Sequence, residues 1–288
     1  MQLTKLHGLG NDYLYLDTSA EDLSAYDVPA LARAVSDRHF GLGADGLILV
    51  EPADDADFRM RIFNADGSEA EMCGNGVRAF AKFVFDHGLT TKTDLSVLTG
   101  AGMIQIELHV EGGKMTSARV DMGKPRLARY EIPMLGEPAQ ETVIELPLEA
   151  AGQTWAITTV SMGNPHCVIF VPEVASFPVT EVGPHLENHE LFPARTNVEF
   201  VRVISEDRLE MRVWERGSGE TLACGTGASA CVVASALTGR TGRHVTVELL
   251  GGELDIEWAE DDHVFVTGPA TEVYTAQVRA EIIAGARK

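Results

Sequence analysis

The feature that most constrains what this chain can fold into is a repeat. Cys73-Gly74-Asn75-Gly76 returns as Cys224-Gly225-Thr226-Gly227, and an apolar stretch of helical character follows each. The flanking motifs return in the same order. Gly10-Asn11 is matched by Gly163-Asn164, and Asp45 before the apolar run 47–50 by Asn197 before the run 198–203. Phe63-Asn64-Ala65-Asp66-Gly67 is matched by Trp214-Glu215-Arg216-Gly217. Asn11 precedes its cysteine by 62 residues (73 − 11) and Asn164 by 60 (224 − 164); Asp45 and Asn197 precede theirs by 28 (73 − 45) and 27 (224 − 197). One Cys-Gly-x-Gly is ordinary, whereas four ordered features at matched spacing imply two similar domains, each presenting one cysteine.

A chain of 288 residues has room for two such domains, each with its own core. Strands are expected at 1–6, 13–17, 47–50 and 58–63, and a helix from Asp27 and Pro29 to about Arg38. VRAFAKFVFDHG after the first cysteine motif reads as a buried helix stopped by Gly88. Alternating runs at 103–110 and 245–250, with Gly112-Gly113 and Gly251-Gly252, read as antiparallel hairpins. The proline-rich stretch 125–147 is expected to mark a crossing between domains.

Composition removes several classes of function. The chain carries 23 Lys+Arg against 43 Asp+Glu, a formal net charge of −20, which repels nucleic acids and anionic membranes. The start MQLTKLHGLG has neither the basic region nor the apolar stretch of a signal peptide, so a cytoplasmic protein is expected. Four cysteines are too few and too unevenly spaced for a disulfide scaffold, and no Cys-x-x-Cys pair suggests a zinc site. Free thiols in a reducing compartment follow, and no metal is expected.

Each motif cysteine stands where a turn meets a helix, where unpaired amides and the positive helix end stabilise a thiolate and bind a carboxylate. Inversion of a stereocentre through a planar carbanion needs a base on one face and an acid on the other, exchanged in the reverse direction. Two thiols satisfy this, because their reference pKa of about 8.5 can be lowered by helix ends to give one thiolate and one thiol near neutral pH, and the amides that hold the carboxylate would stabilise the developing enolate. No cofactor is required.

At these residues the sequence resembles the diaminopimelate epimerase family over essentially its whole length. The resemblance is carried by HGLGND at 7–12, FNADGSEAEMCGNG at 63–76, SMGNPH at 161–166, RTNVEF at 195–200 and ERGSGETLACGTG at 215–227. It implies an α+β fold of two pseudo-symmetric domains, each a mainly antiparallel sheet curled around a central helix. The first would span residues 1–121 and be completed by a returning segment, 270–288; the second would span 122–269. It further implies conversion of LL- to meso-diaminopimelate, with Cys73 and Cys224 as the acid/base pair and His166 and Glu215 beside the reacting centre. Gly74, Asn75, Gly225 and Thr226 would bind the reacting carboxylate through their amides. Asn11, Asn64, Asn164, Asn197 and Arg216 would hold the substrate, chiefly its distal end, with Glu215 near the ammonium group. Homodimers are common in the family. The chain departs from those members that carry a substrate-contacting glutamine where it has Gly46.

Other features read as structural. Cys167, in the run CVIFV, and Cys231, seven residues beyond Cys224, are expected in the core. Gly41-Leu42-Gly43-Ala44-Asp45-Gly46 spells a dinucleotide fingerprint but follows a helix and leads into a strand, the reverse of a Rossmann site. His185 and His189 read as solvated loop histidines, not metal ligands. The competing functions are a racemase of another amino acid on the same scaffold, a thiol redox protein, and a non-catalytic amino-acid-binding protein.

Overall fold

A computed structural model describes residues 1–288. In chain order the elements are β1 (Gln2–Gly8), β2 (Asn11–Asp17), α1 (Val28–Ser36), β3 (Gly46–Glu51), β4 (Phe58–Asn64), β5 (Glu69–Ala70), α2 (Gly74–Asp86), β6 (Asp94–Thr99), β7 (Gly102–Glu111) and β8 (Lys114–Asp121). There follow β9 (Leu146–Ala150), β10 (Gln153–Ser161), β11 (Pro165–Phe170), α3 (Val179–Glu187), β12 (Asn197–Ser205), β13 (Arg208–Glu215), β14 (Gly219–Thr221) and α4 (Gly225–Leu237). The chain ends with β15 (His244–Leu249), β16 (Gly252–Trp258), β17 (Val264–Pro269) and β18 (Thr271–Gln277). Two compact units divide it: Met1–Val120 with Gly268–Lys288, and Asp121–Thr267.

The two units repeat one strand order. In the first, β18 pairs with β1, β1 with β2, β3 with β4 and β6 with β7, all antiparallel. In the second, β9 pairs with β10, β10 with β11, β12 with β13 and β15 with β16 in the same sense. Each unit also contains two parallel joints at equivalent places, β2–β3 and β4–β6 in the first, β11–β12 and β13–β15 in the second. The returning strand β18 therefore supplies in the first unit what β9 supplies in the second.

Each mainly antiparallel sheet wraps a central helix. The helix α2 packs against β1, β2, β3, β7 and β18, and α4 against β10, β11, β12, β15 and β16. Val77, Phe80, Ala81 and Val84 on α2 are wholly buried, as are Ala230, Cys231, Val232 and Val233 on α4. Emptying the Phe80 site by substitution with alanine would cost about 3–5 kcal/mol.

Local chemistry explains the helix limits. Asp27 caps α1 through a side-chain oxygen that accepts from the Ala30 amide at 2.8 Å, and a proline follows at the first turn. Gly88, at φ +74, and Gly239, at φ +67, end α2 and α4 in the left-handed conformation. The helix α2 begins three residues before the apolar run because Cys73 is itself the cap.

Two features differ from the sequence reading. His185 lies in the last turn of α3, not in a loop; that helix tolerates Pro184 in its interior and places His185 beside its negative end. The stretch 125–147 lies inside the second unit and contains the 3-10 turn Arg129–Glu131, with the boundary just before it. No helix is long and apolar enough to cross a membrane.

Candidate active site

Cys73 and Cys224 are both helix N-caps with extended backbones, φ −145, ψ 112 and φ −129, ψ 109. The Cys73 carbonyl accepts from Val77 at 2.8 Å and that of Cys224 from Ala228 at 2.9 Å, closing each first turn alike. Side chains already crowd the glycines at the third helical position. A Cβ at Gly76 would approach Ile48 Cδ1 to 3.0 Å, and one at Gly227 would approach Glu199 Oε1 to 2.9 Å.

In the first unit Cys73 Sγ accepts from the Gly76 amide at 3.4 Å, and the thiol donates to Asn11 Oδ1 at 3.2 Å. Asn11 Nδ2 in turn donates to Asp45 Oδ2 at 2.8 Å, which also accepts from the Asp12 amide. Arg38 bridges Asp45 and Asp12, at 2.8 Å to each, and Lys5 completes the network 2.6 Å from Asp12. Burial pushes the Asp12 carboxyl up, but the hydrogen bonds from Arg38 and Lys5 outweigh it and hold the group below the usual range. Asn64 Nδ2 donates to Ser68 Oγ at 3.0 Å, and Asn75 Oδ1 accepts from Arg78 Nη2 at 2.7 Å.

Two residues absent from the sequence reading join Cys73. The Tyr13 hydroxyl is hydrogen-bonded to it, and the charge on Cys73, then burial, then that bond raise the tyrosine pKa. Arg78 is wholly buried, and desolvation lowers its guanidinium to about 10 against the opposing pull of Cys73. A lone arginine inside VRAFAKF was the available signal.

The second unit surrounds Cys224 with acids. Glu215 accepts from Thr221 Oγ1 at 2.5 Å and from the Cys224 thiol. Burial raises the Glu215 carboxyl, and those hydrogen bonds oppose it. Burial, then the charges of Glu215 and Glu199, push the Cys224 thiol well up, against hydrogen bonds from Thr226 and Gly227. Asn164 Nδ2 donates to Thr226 Oγ1 at 3.2 Å, and His166 Nε2 meets Asn164 Oδ1 at 3.0 Å. His166 is wholly buried, with Nδ1 2.6 Å from Glu199 Oε1. Glu199 also escaped the sequence reading, although an acid inside the buried run NVEFV is unusual.

Asn197 and Arg216 lie together but differ in character. Asn197 is buried, donating to Pro165 O at 2.7 Å and accepting from the Arg216 amide at 2.9 Å, so its side chain joins β11 to the turn after β13. The Arg216 side chain is exposed and reaches Ala194 O at 3.2 Å. Cys167 and Cys231 are wholly buried. Gly46 has no room for a side chain: a Cβ would lie 2.2 Å from Phe63 O and 2.9 Å from Tyr13 Cε1, so a glutamine cannot be accommodated at this position on this backbone.

A helix wrapped by a mainly antiparallel sheet, repeated in each unit, defines the class of fold shared with a hydroxyproline epimerase from Agrobacterium vitis. The two match with a TM-score of 0.66 at 16% identity, over 96% of this chain and 90% of that one. Sequence comparison is more specific. The diaminopimelate epimerase model matches residues 3–128 and 158–273. A diaminopimelate epimerase of Moorella thermoacetica is 56% identical over 95% of this chain and 98% of its own length. One from Pelotomaculum thermopropionicum is 53% identical over 96% and 98%. The chain belongs to the diaminopimelate epimerase family.

Proposed function

We propose that this isomerase converts LL-2,6-diaminopimelate to the meso form by two-base inversion at one α-carbon. One of Cys73 and Cys224 removes the α-proton as thiolate. The other delivers a proton to the opposite face as thiol, and the planar intermediate lies between the two transfers. The carboxylate on that carbon is held by the first-turn amides of Gly74, Asn75, Gly225 and Thr226, which stabilise the enolate as charge moves onto it. Glu215, bonded to the Cys224 thiol, is the group through which that thiol's proton is managed. Asn11, Asn64, Asn164, Asn197 and Arg216 complete the substrate contacts, with His166 supporting the second cysteine. The scheme requires no cofactor.

The observation that carries this reading is the cysteine N-cap repeated with the same geometry in both units, each thiol already hydrogen-bonded to a polar neighbour. Incubation with LL-diaminopimelate in deuterium oxide under reducing conditions is expected to yield meso product with deuterium at the α-carbon. Absence of both would overturn it. The same reading takes the enzyme as a cytoplasmic homodimer, the state common in the family, and sedimentation equilibrium tests the dimer.

A further inference from the structure

Glu199 is wholly buried on β12, and the reaction scheme above asks nothing of a carboxylate there. Its Oε2 has no hydrogen-bond partner, while its Oε1 lies 2.6 Å from Nδ1 of the equally buried His166. A carboxylate taken out of water with one oxygen unanswered is strongly disfavoured unless a cation faces it. His166 is the group in position to be that cation.

The other ring nitrogen supplies independent evidence. His166 Nε2 meets Asn164 Oδ1 at 3.0 Å, and the amide orientation is set from its far end, where Asn164 Nδ2 donates to Thr226 Oγ1 at 3.2 Å. Both ring nitrogens therefore face oxygen acceptors. A neutral imidazole has one N–H and answers one of them; the imidazolium answers both. Having accepted from Asn164, the Thr226 hydroxyl keeps its own hydrogen for Cys224 Sγ, 3.4 Å away. An unbroken hydrogen-bonded chain thus runs from Glu199 through His166, Asn164 and Thr226 to the sulfur.

We propose that Glu199 is a positioning residue for Cys224, holding His166 as an imidazolium with both N–H bonds engaged. His166 then orients Asn164 and Thr226 at the sulfur and does not itself carry the transferred proton. This role rests on the epimerase reading. The titratable groups around the pair are Cys167 beside His166 on β11, Glu215 at the end of β13, and Cys224 and Cys231 at and within α4. None of them offers a second cation.

Long-range nitrogen–proton NMR of the 15N-histidine-labelled protein at about pH 8, above the ordinary histidine range of about 6.5, tests the charge state. His166→Gln identifies the signal by its loss. Two protonated ring nitrogens are expected in the wild type and one in Glu199→Gln. A single protonated ring nitrogen in the wild type would make the ring neutral and overturn the imidazolium. Glu199→Gln is expected to lower kcat for LL-diaminopimelate at least tenfold, change KM by less than about threefold, and alter the pH profile of kcat. An unchanged kcat and profile in a folded variant would overturn the positioning role. A wild type that does not turn over the substrate would defeat the epimerase reading instead, and the wild-type spectrum still decides the pair should Glu199→Gln fail to fold.

Discussion

Arg78 and Ser229 hold the same place in the two repeats, five residues beyond the cap cysteine (78 − 73 and 229 − 224), and each reaches back to the first helical glycine. Arg78 Nη1 donates to Gly74 O at 3.2 Å and Ser229 Oγ to Gly225 O at 2.9 Å. The backbone roles coincide, but one side chain brings a buried cation to its cysteine and the other brings none.

That difference predicts unequal thiols. Burial, then the charges of Glu215 and Glu199, raise the Cys224 thiol, while Cys73 is half-buried beside Arg78. Iodoacetamide at about pH 7 should alkylate Cys73 well before Cys224, because the thiolate is the nucleophile. Arg78→Met should slow the Cys73 reaction by roughly tenfold, the effect of about 1.4 kcal/mol of lost charge stabilisation. Peptide mass spectrometry reads both, and earlier modification of Cys224 would contradict the asymmetry.

Cys73→Ser and Cys224→Ser should each reduce epimerisation by a factor of about 10² or more, since one face of the α-carbon loses its proton-transfer group. Serine is close to cysteine in shape and its hydroxyl can accept from the Gly76 amide as Cys73 Sγ does, while Cys224 makes no side-chain cap bond to lose, so the thermal midpoint should move little. Near-normal turnover in either variant would refute the two-base assignment.

Gly46→Ala should lower stability by about 3 kcal/mol, because its Cβ meets the carbonyl of Phe63 and backbone cannot step aside as a flexible side chain can. Urea unfolding measures the change. A neutral result would mean that β3 and β4 shift freely, and a larger side chain would then be admissible here.

Stability should fall on the alkaline side. Burial, aided by the charge of Glu199, raises the thiols of Cys167 and Cys231, and burial with Glu215 and Glu199 raises that of Cys224. In the unfolded chain these thiols ionise near about pH 8.5. The stabilisation is complete below that pH and is lost as pH rises towards the folded-state values, at about 1.4 kcal/mol per pH unit for each thiol. Thermal melts between about pH 7.5 and about pH 10 should show the loss, and a Cys167→Ala, Cys231→Ala variant should show a shallower one. Parallel slopes would count against it.

Much of the fold was legible because its signals are local or periodic. The Asp27 cap, the Gly88 stop and the paired glycines at 112–113, both at positive φ, each act within a few residues of themselves. His185 was misread because Pro184 suggested a loop, whereas packing of Val182 and Leu186 keeps α3 intact through it.

The sequence by itself determined the duplication and the two cysteines at helix starts, since an ordered repeat and an N-cap are both written along one dimension. Only the tertiary structure decided what surrounds each sulfur. Asn11 meets Cys73 across 62 residues, and Glu199 meets His166 across 33. Such partners are chosen by strand register and by which face of a buried element turns inward. A charge in an apolar run announces that it needs a partner, but the folded chain alone determines which one.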